Sequence, residues 1–165
     1  MRAAFALIVK KGDRIMPPSE FSTRLALASK MYRVGMRRGT AKAGNLVKRS
    51  AKKNVTGGKG GGVLNVRTNL GRGSITSRVE PTPRGYRAVV GASTFYMLVH
   101  EKGMVIRARN APFMLFKYKG KFMKVKKVTI PKREWLRPAF EENRRKIVNC
   151  FDDEVATAFI KAGLM

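Results

Sequence analysis

The chain has one histidine, one cysteine and ten acidic residues among 165. Each shortage excludes a class of function. A single cysteine, Cys150, cannot close an internal disulfide, and in an apolar helical pattern it reads as a buried, inert thiol. One histidine and one cysteine cannot furnish the several nitrogen and sulfur ligands that zinc requires. His100 is followed directly by Glu101, and adjacent residues on a helix or strand do not face each other, so the two are no catalytic dyad. His100 reads instead as a packing or surface residue. Glu141-Glu142 and Asp152-Asp153 fall on exposed helix faces, and only four carboxylates precede residue 134, too few to converge on a two-metal site. No nucleophile or base is assembled, so the sequence predicts no enzyme, no metal and no cofactor. There is no apolar run of about 18 residues, hence no predicted spanning helix and no membrane partner. Residues 3–9 are apolar but run straight into Lys10-Lys11-Gly12-Asp13, without the small residues of a cleaved signal, and suggest a short strand or a tucked-in arm.

What the chain does have is positive charge. Lys and Arg number 36 against 10 Asp and Glu, a net +26. Residues 1–133 carry 31 basic and 4 acidic side chains, a balance of +27, whereas residues 134–165 carry 5 and 6, a balance of −1. Such a field attracts polyanions and acidic protein surfaces and repels other copies of the chain unless neighbours compensate. The excess is larger than solubility alone needs. A standalone nucleic-acid-binding protein of ribosomal or chromatin type is one function that fits it. Hydrophobic content of 44% and a length of 165 residues suit one ordinary globular domain with a real core.

The organisation can be read in order. Residues 1–18 form an arm ending at Pro17-Pro18, and residues 19–165 form the domain. Ser19 is the expected N-cap of a long helix, with Glu20 in its first turn. A stripe of apolar and small residues follows at steps of three and four: Phe21, Leu25, Ala28, Tyr32, Gly35, Gly39, Ala43, Leu46, Ser50. Gly35 and Gly39 each cost a helix about 1 kcal/mol against alanine, which close packing on a sheet would offset; a kink, or two shorter helices, is the rival reading. The opposite face carries Arg33, Arg37, Arg38, Lys42, Lys48, Arg49, Lys52 and Lys53. Residues 56–62, Thr-Gly-Gly-Lys-Gly-Gly-Gly, read as a flexible loop. They are no phosphate loop, because no Gly-Lys-Ser/Thr follows and the loop leaves a helix instead of a strand.

Strands come next. Residues 74–80 and 86–91 flank a Pro-Thr-Pro-Arg-Gly turn and predict a hairpin. Residues 95–101 predict a short helix or tight irregular piece. Residues 104–109 and 113–118 are strand-like, and residues 122–130 alternate apolar and basic after the Lys119-Gly120-Lys121 turn, predicting a projecting basic hairpin stopped by Pro131. A second long helix is expected over residues 136–161, with Pro138 in its first turn and Gly163 ending it.

Three stretches carry a resemblance. The first is Leu64, Arg67, Thr68, Leu70, Ser74 and Ile75, a tight turn entering a strand; the second is Tyr96, Glu101 and Gly103; the third is Ile130-Pro131-Lys132-Arg133-Glu134-Trp135-Leu136-Arg137-Pro138-Ala139, leading into the last helix. In order and spacing they resemble the tail-completion (neck, virion-morphogenesis) proteins of long-tailed bacteriophages, from about residue 20 to the C-terminus. Asn69 stands where that family usually has glycine, and asparagine also tolerates a left-handed backbone. His100 stands where an apolar residue is common, and residues 1–18 and the glycine loop look like additions. The resemblance implies an α+β fold, a twisted antiparallel sheet packed by two long helices. It implies a virion protein, assembled in the host cytoplasm, whose subunits close a ring, a hexamer by expectation, that completes the tail and joins it to the DNA-filled head. Its partners would be itself, the tail tube and head–tail connector proteins, and the genomic DNA crossing the channel. Tyr96, Glu101, Lys119 and Lys121 are the expected ring contacts, Glu101 because a lone carboxylate among cations should find a cation. Arg37, Arg38, Lys48, Arg49, Lys52 and Lys53 are the expected contacts to DNA or to acidic neck proteins.

Overall fold

The computed structural model describes residues 16–56, 64, 69–118 and 120–164. Most of the arm and of the glycine loop, Arg67 and Thr68 of the first stretch, and Lys119 lie outside the described residues. One continuous helix, α1 (Pro18–Thr56), opens the fold. Pro18 occupies its first position, where a missing N–H costs nothing. The Pro17 carbonyl accepts the N–H of Phe21 at 3.0 Å, so the helix starts ahead of the expected Ser19 cap. Ser19 instead lies inside the first turn, its carbonyl accepting the hydroxyls of Ser22 and Thr23.

The chain then forms α2 (Leu70–Gly73), strands β1 (Ile75–Thr82) and β2 (Gly85–Ala92), α3 (Phe95–Lys102), strands β3 (Met104–Arg107), β4 (Met114–Tyr118), β5 (Lys121–Val125) and β6 (Lys127–Ile130), and helices α4 (Arg137–Glu141) and α5 (Arg144–Lys161). The fold is α+β, with antiparallel pairs and a long helix toward each end. Among the described residues the strands form three separate two-stranded pairs, β1-β2, β3-β6 and β4-β5. Asn69 takes the left-handed conformation, φ 58°, that asparagine accommodates at the entry to α2.

The chain divides into two compact units: residues 1–46, 77–89 and 143–165, and residues 47–76 and 90–142. In the first, Gly35 and Gly39 admit α5 and not a sheet. A Cβ on Gly35 would lie 2.9 Å from the Glu154 carbonyl oxygen, and one on Gly39 3.0 Å from a Phe151 ring carbon. The sheet contact falls five residues later, at Gly44, where a Cβ would meet Ala88 at 2.9 Å. The glycines thus exchange helix propensity for close backbone approach, and the helix runs through both without dividing into two. Lys42 is not a free cation of the basic face: it pairs with the carboxylate of Glu154, a buried residue of α5. That hydrogen bond, and the charge behind it, raise the Lys42 pKa.

The last helix is broken. The sequence predicts one helix over residues 136–161, but Asn143, at φ −105° and ψ 6°, separates α4 from α5. Asparagine suits the position flanking a helix start, and here its carbonyl accepts the first α5 bond, from Ile147. Its place three residues after Phe140 and four before Ile147 keeps helical spacing, which hides the break from a periodicity argument. The C-terminus behaves as expected. Gly163, φ 69°, donates to the Ile160 carbonyl and Leu164 to that of Phe159, the paired bonds of a Schellman stop.

Gly35→Ala tests this packing. Alanine favours the helix by about 1 kcal/mol, but overpacking against a backbone carbonyl costs about 1–3 kcal/mol. Thermal melting should therefore show a lower Tm. A raised Tm would mean that α1 and α5 separate freely at this point.

Candidate interaction surfaces

In the second unit, residues far apart in sequence converge on one indole. Trp135 is 3% exposed. Its Nε1 donates to the Met97 carbonyl of α3 at 3.0 Å, and its own carbonyl accepts from Asn54 Nδ2 near the end of α1 at 3.0 Å. Its backbone N–H donates to Glu101 Oε2 at 2.7 Å. The same carboxylate accepts the N–H of Leu136 at 3.0 Å and, through Oε1, that of Arg137 at 3.1 Å. Helix starts leave N–H groups without intrahelical partners, and here a side chain from α3 supplies the acceptor that no residue of α4 provides. The charge also opposes the positive end of the helix dipole. The sequence argument expects a cation beside Glu101, and its bonded partners are three backbone amides instead. Sequence cannot show this, because 34 to 36 residues separate the groups.

Around this hub described residues of the three stretches come together, the first through Gly71 and Ser74. A Cβ on buried Gly71 would press on the Tyr96 hydroxyl and lie 2.8 Å from Met97 Sδ. Ser74 and Thr94 share a hydroxyl hydrogen bond at 3.0 Å, and Ser93 N–H reaches the Ser74 carbonyl. A Cβ on Gly103, φ 72°, would lie 3.1 Å from the Lys132 nitrogen, and Arg133 N–H donates to the His100 carbonyl at 2.7 Å. Tyr96 is half exposed on α3, its ring edge-on to His100 at 6.4 Å.

Strands β3 to β6 form a ribbon from this base. β3 pairs antiparallel with β6 and β4 with β5; between the pairs, Ala108 N–H donates to the Lys126 carbonyl. Strand alternation puts Met104, Ile106, Val128 and Ile130 on one face of the first pair. It likewise puts Met114, Phe116, Met123 and Val125 on one face of the second. Much of this apolar surface is exposed in the single chain: Phe116 is 37% and Met123 42% accessible, and on the other face Leu115 is 62% and Phe122 72%. Lys121 is exposed at the start of β5, opposite Tyr118 in register. Lys124 Nζ sits 3.7 Å above the Phe113 ring, a cation–π contact.

The six predicted basic contacts all lie on α1. Arg37, Arg38, Arg49 and Lys53 are exposed, and Lys48 and Lys52 are half-buried. Arg37 and Arg38 lie in the first unit; the other four lie in the second, where at 3.6 residues per turn they share roughly 140° of arc. None makes an ion pair among the described residues, in contrast to Arg24, Arg78, Arg87 and Arg137, each of which has a carboxylate partner. The described residues contain no cluster of three or more His, Cys, Asp or Glu side chains able to hold a metal ion, and no described helix is long and apolar enough to cross a membrane.

Sequence reasoning misses the part played by Trp135 and Asn54. A lone tryptophan beside prolines, and an amide flanking the apolar stripe, are the signals that could have pointed to it. No family model, curated protein or solved structure matches the chain.

Two outcomes follow from the hub. Glu101→Gln keeps one acceptor oxygen but turns an amide N–H₂ toward backbone donors, so unfolding in urea should show a loss of about 1–3 kcal/mol. Unchanged stability would mean water serves these amides as well as the carboxylate does. His100 provides a pH signature. Its Nδ1 is buried without a hydrogen-bond partner, and burial, reinforced by the nearby Arg133 charge, holds its pKa below the ordinary 6.5. The unfolded chain therefore takes up a proton before the native one does, and stability should fall as pH drops below 6.5 until the native imidazole also titrates. His100→Gln should remove that part of the acid limb; identical pH profiles would contradict the assignment.

Proposed function

We propose that the protein is a structural subunit of a tailed-phage neck: it closes a homo-oligomeric ring that completes the tail and joins it to the head. The observation that carries this reading is the apolar surface of the β3–β6 ribbon. A two-stranded ribbon is marginal in water unless a face is covered, and this one exposes Phe116, Met123, Leu115 and Phe122 in the single chain. A neighbouring copy covers it in the ring. The mutual packing of the three stretches that carry the resemblance supports the same reading, since they form one structural unit and not scattered coincidences. Tyr96 and Lys121 remain on the accessible surface where ring contacts are made. Glu101 contributes indirectly, by fixing the base of the ribbon. The work done is binding, with no chemical step.

The second reading, a standalone nucleic-acid-binding protein, is favoured by one observation, the unpaired cations along α1. In the neck these cations dock acidic surfaces of connector and tube proteins, because a strongly cationic channel would retard DNA leaving the head.

Phe116→Lys places a charge on one apolar ribbon face at a position 37% accessible, and circular dichroism of the variant checks that the subunit itself stays folded. Electron micrographs of the purified wild type should show rings, and the variant should show none; rings in both, or in neither, would overturn the ribbon as ring contact. Replacing Arg49, Lys52 and Lys53 by alanine separates the readings. The neck reading expects head–tail joining to fail with DNA affinity unaltered. A nucleic-acid binder would instead show a flatter salt dependence, by about 0.9 in log–log slope for each phosphate no longer neutralised.

A further inference from the structure

The first unit holds a groove that neither the ring nor the α1 cations as a class account for. Two cavities, of about 500 and 440 Å³, share Arg33 and Tyr86 in their walls. One lies between α1 and the turn of the β1-β2 hairpin and includes Tyr32, Met36 and Arg84; the other continues along α1 past Val34, Arg37 and Arg38. Four arginines and no carboxylate line the combined groove.

The arginines are uncompensated. Arg33 and Arg37 stand four apart on α1, a like-charge spacing that destabilises a helix by a few tenths of a kcal/mol. Arg33, Arg37, Arg38 and Arg84 make no ion pair among the described residues, whereas Arg78 and Arg87, on the same hairpin as Arg84, both pair with Glu80. The groove therefore concentrates positive charge that the described residues leave unanswered. The cations are all guanidinium groups, whose planar forks bind carboxylates bidentately and stack on aromatic rings. Between them lie apolar surfaces, Val34, Met36 and the Tyr86 ring, which a phosphate backbone would not use.

We propose that this groove is a docking site for an extended acidic peptide segment of a partner protein, one in which Asp or Glu alternates with apolar residues. Carboxylates engage Arg33, Arg37, Arg38 and Arg84, while the apolar side chains settle against Tyr86, Val34 and Met36. An extended peptide suits a groove whose walls are part guanidinium and part apolar, since it can present carboxylates and apolar side chains together. The site lies wholly within one unit, so it operates in the isolated subunit whether or not rings form.

Fluorescence anisotropy on the full chain tests it with three labelled probes: a short peptide alternating Glu with Leu and Phe, an oligo-Glu peptide of the same charge, and an oligothymidylate. The mixed peptide should bind most tightly, and Arg33→Ala with Arg38→Ala should weaken it by about tenfold or more. Lys146→Ala with Lys161→Ala, an equal charge change on exposed positions of α5, should leave it nearly unaltered. Tyr86→Ser should weaken the mixed peptide and spare oligo-Glu. Equal binding of the two peptides would overturn the site in favour of a general polyanion surface. Tighter binding of the oligothymidylate, with displacement of the peptide, would assign the groove to single-stranded nucleic acid. Equal losses in the two double-alanine variants would remove it altogether. Repeating the titration with Phe116→Lys keeps this question apart from ring formation.

Discussion

One carboxylate holds the second unit in register. Glu101 takes the N–H groups of Trp135, Leu136 and Arg137, the amides that open α4. In doing so it ties α3 to the segment that follows the ribbon. Trp135 then reaches Met97 with its indole and Asn54 with its carbonyl, so α3 and the end of α1 meet on the same residue. The Arg133–His100 backbone bond and the close pass at Gly103 complete the base from which the ribbon leaves and to which it returns. Two of these bonds are part-buried and that of Arg137 is exposed, so the three amides gathered on one side chain matter chiefly by fixing where the ribbon's base is held.

The surfaces follow from that constraint. A ribbon fixed at its base holds the exposed apolar residues of both its faces in one set arrangement. That is what a closed ring demands of a subunit. Charge works against it: a chain at +26 repels its copies. On the proposed reading, apolar contact and screening favour assembly, and the α1 and groove cations, unpaired among the described residues, meet acidic partners. The neck role proposed above would use both, the first for the ring and the second for what it joins.

Much of the fold was legible where local physics decides it. The stripe from Phe21 to Ser50 specified α1, Gly163 its counterpart's end, and Asn69 a left-handed turn. What eluded the sequence was set by tertiary context. Asn143 kept the helical spacing yet broke the helix. Gly35 and Gly39 signalled close approach, but nothing local distinguished a sheet from α5 as the neighbour. Glu101 was conspicuous as a lone acid, and its real partners, backbone amides, carry no sequence signature. The groove was equally hidden: Arg33 and Arg84 are 51 positions apart and meet only because the β1-β2 turn reaches α1.

The central claim is that the ribbon's apolar face drives self-association against the charge. Native-state mass by sedimentation, run from low to moderate salt, tests it most directly. Screening weakens repulsion between exposed charges and leaves apolar contact intact. The account predicts that rising salt converts 18.4 kDa subunits into a single closed oligomer of fixed mass. A chain that stays monomeric throughout, or that associates only at low salt, would contradict it.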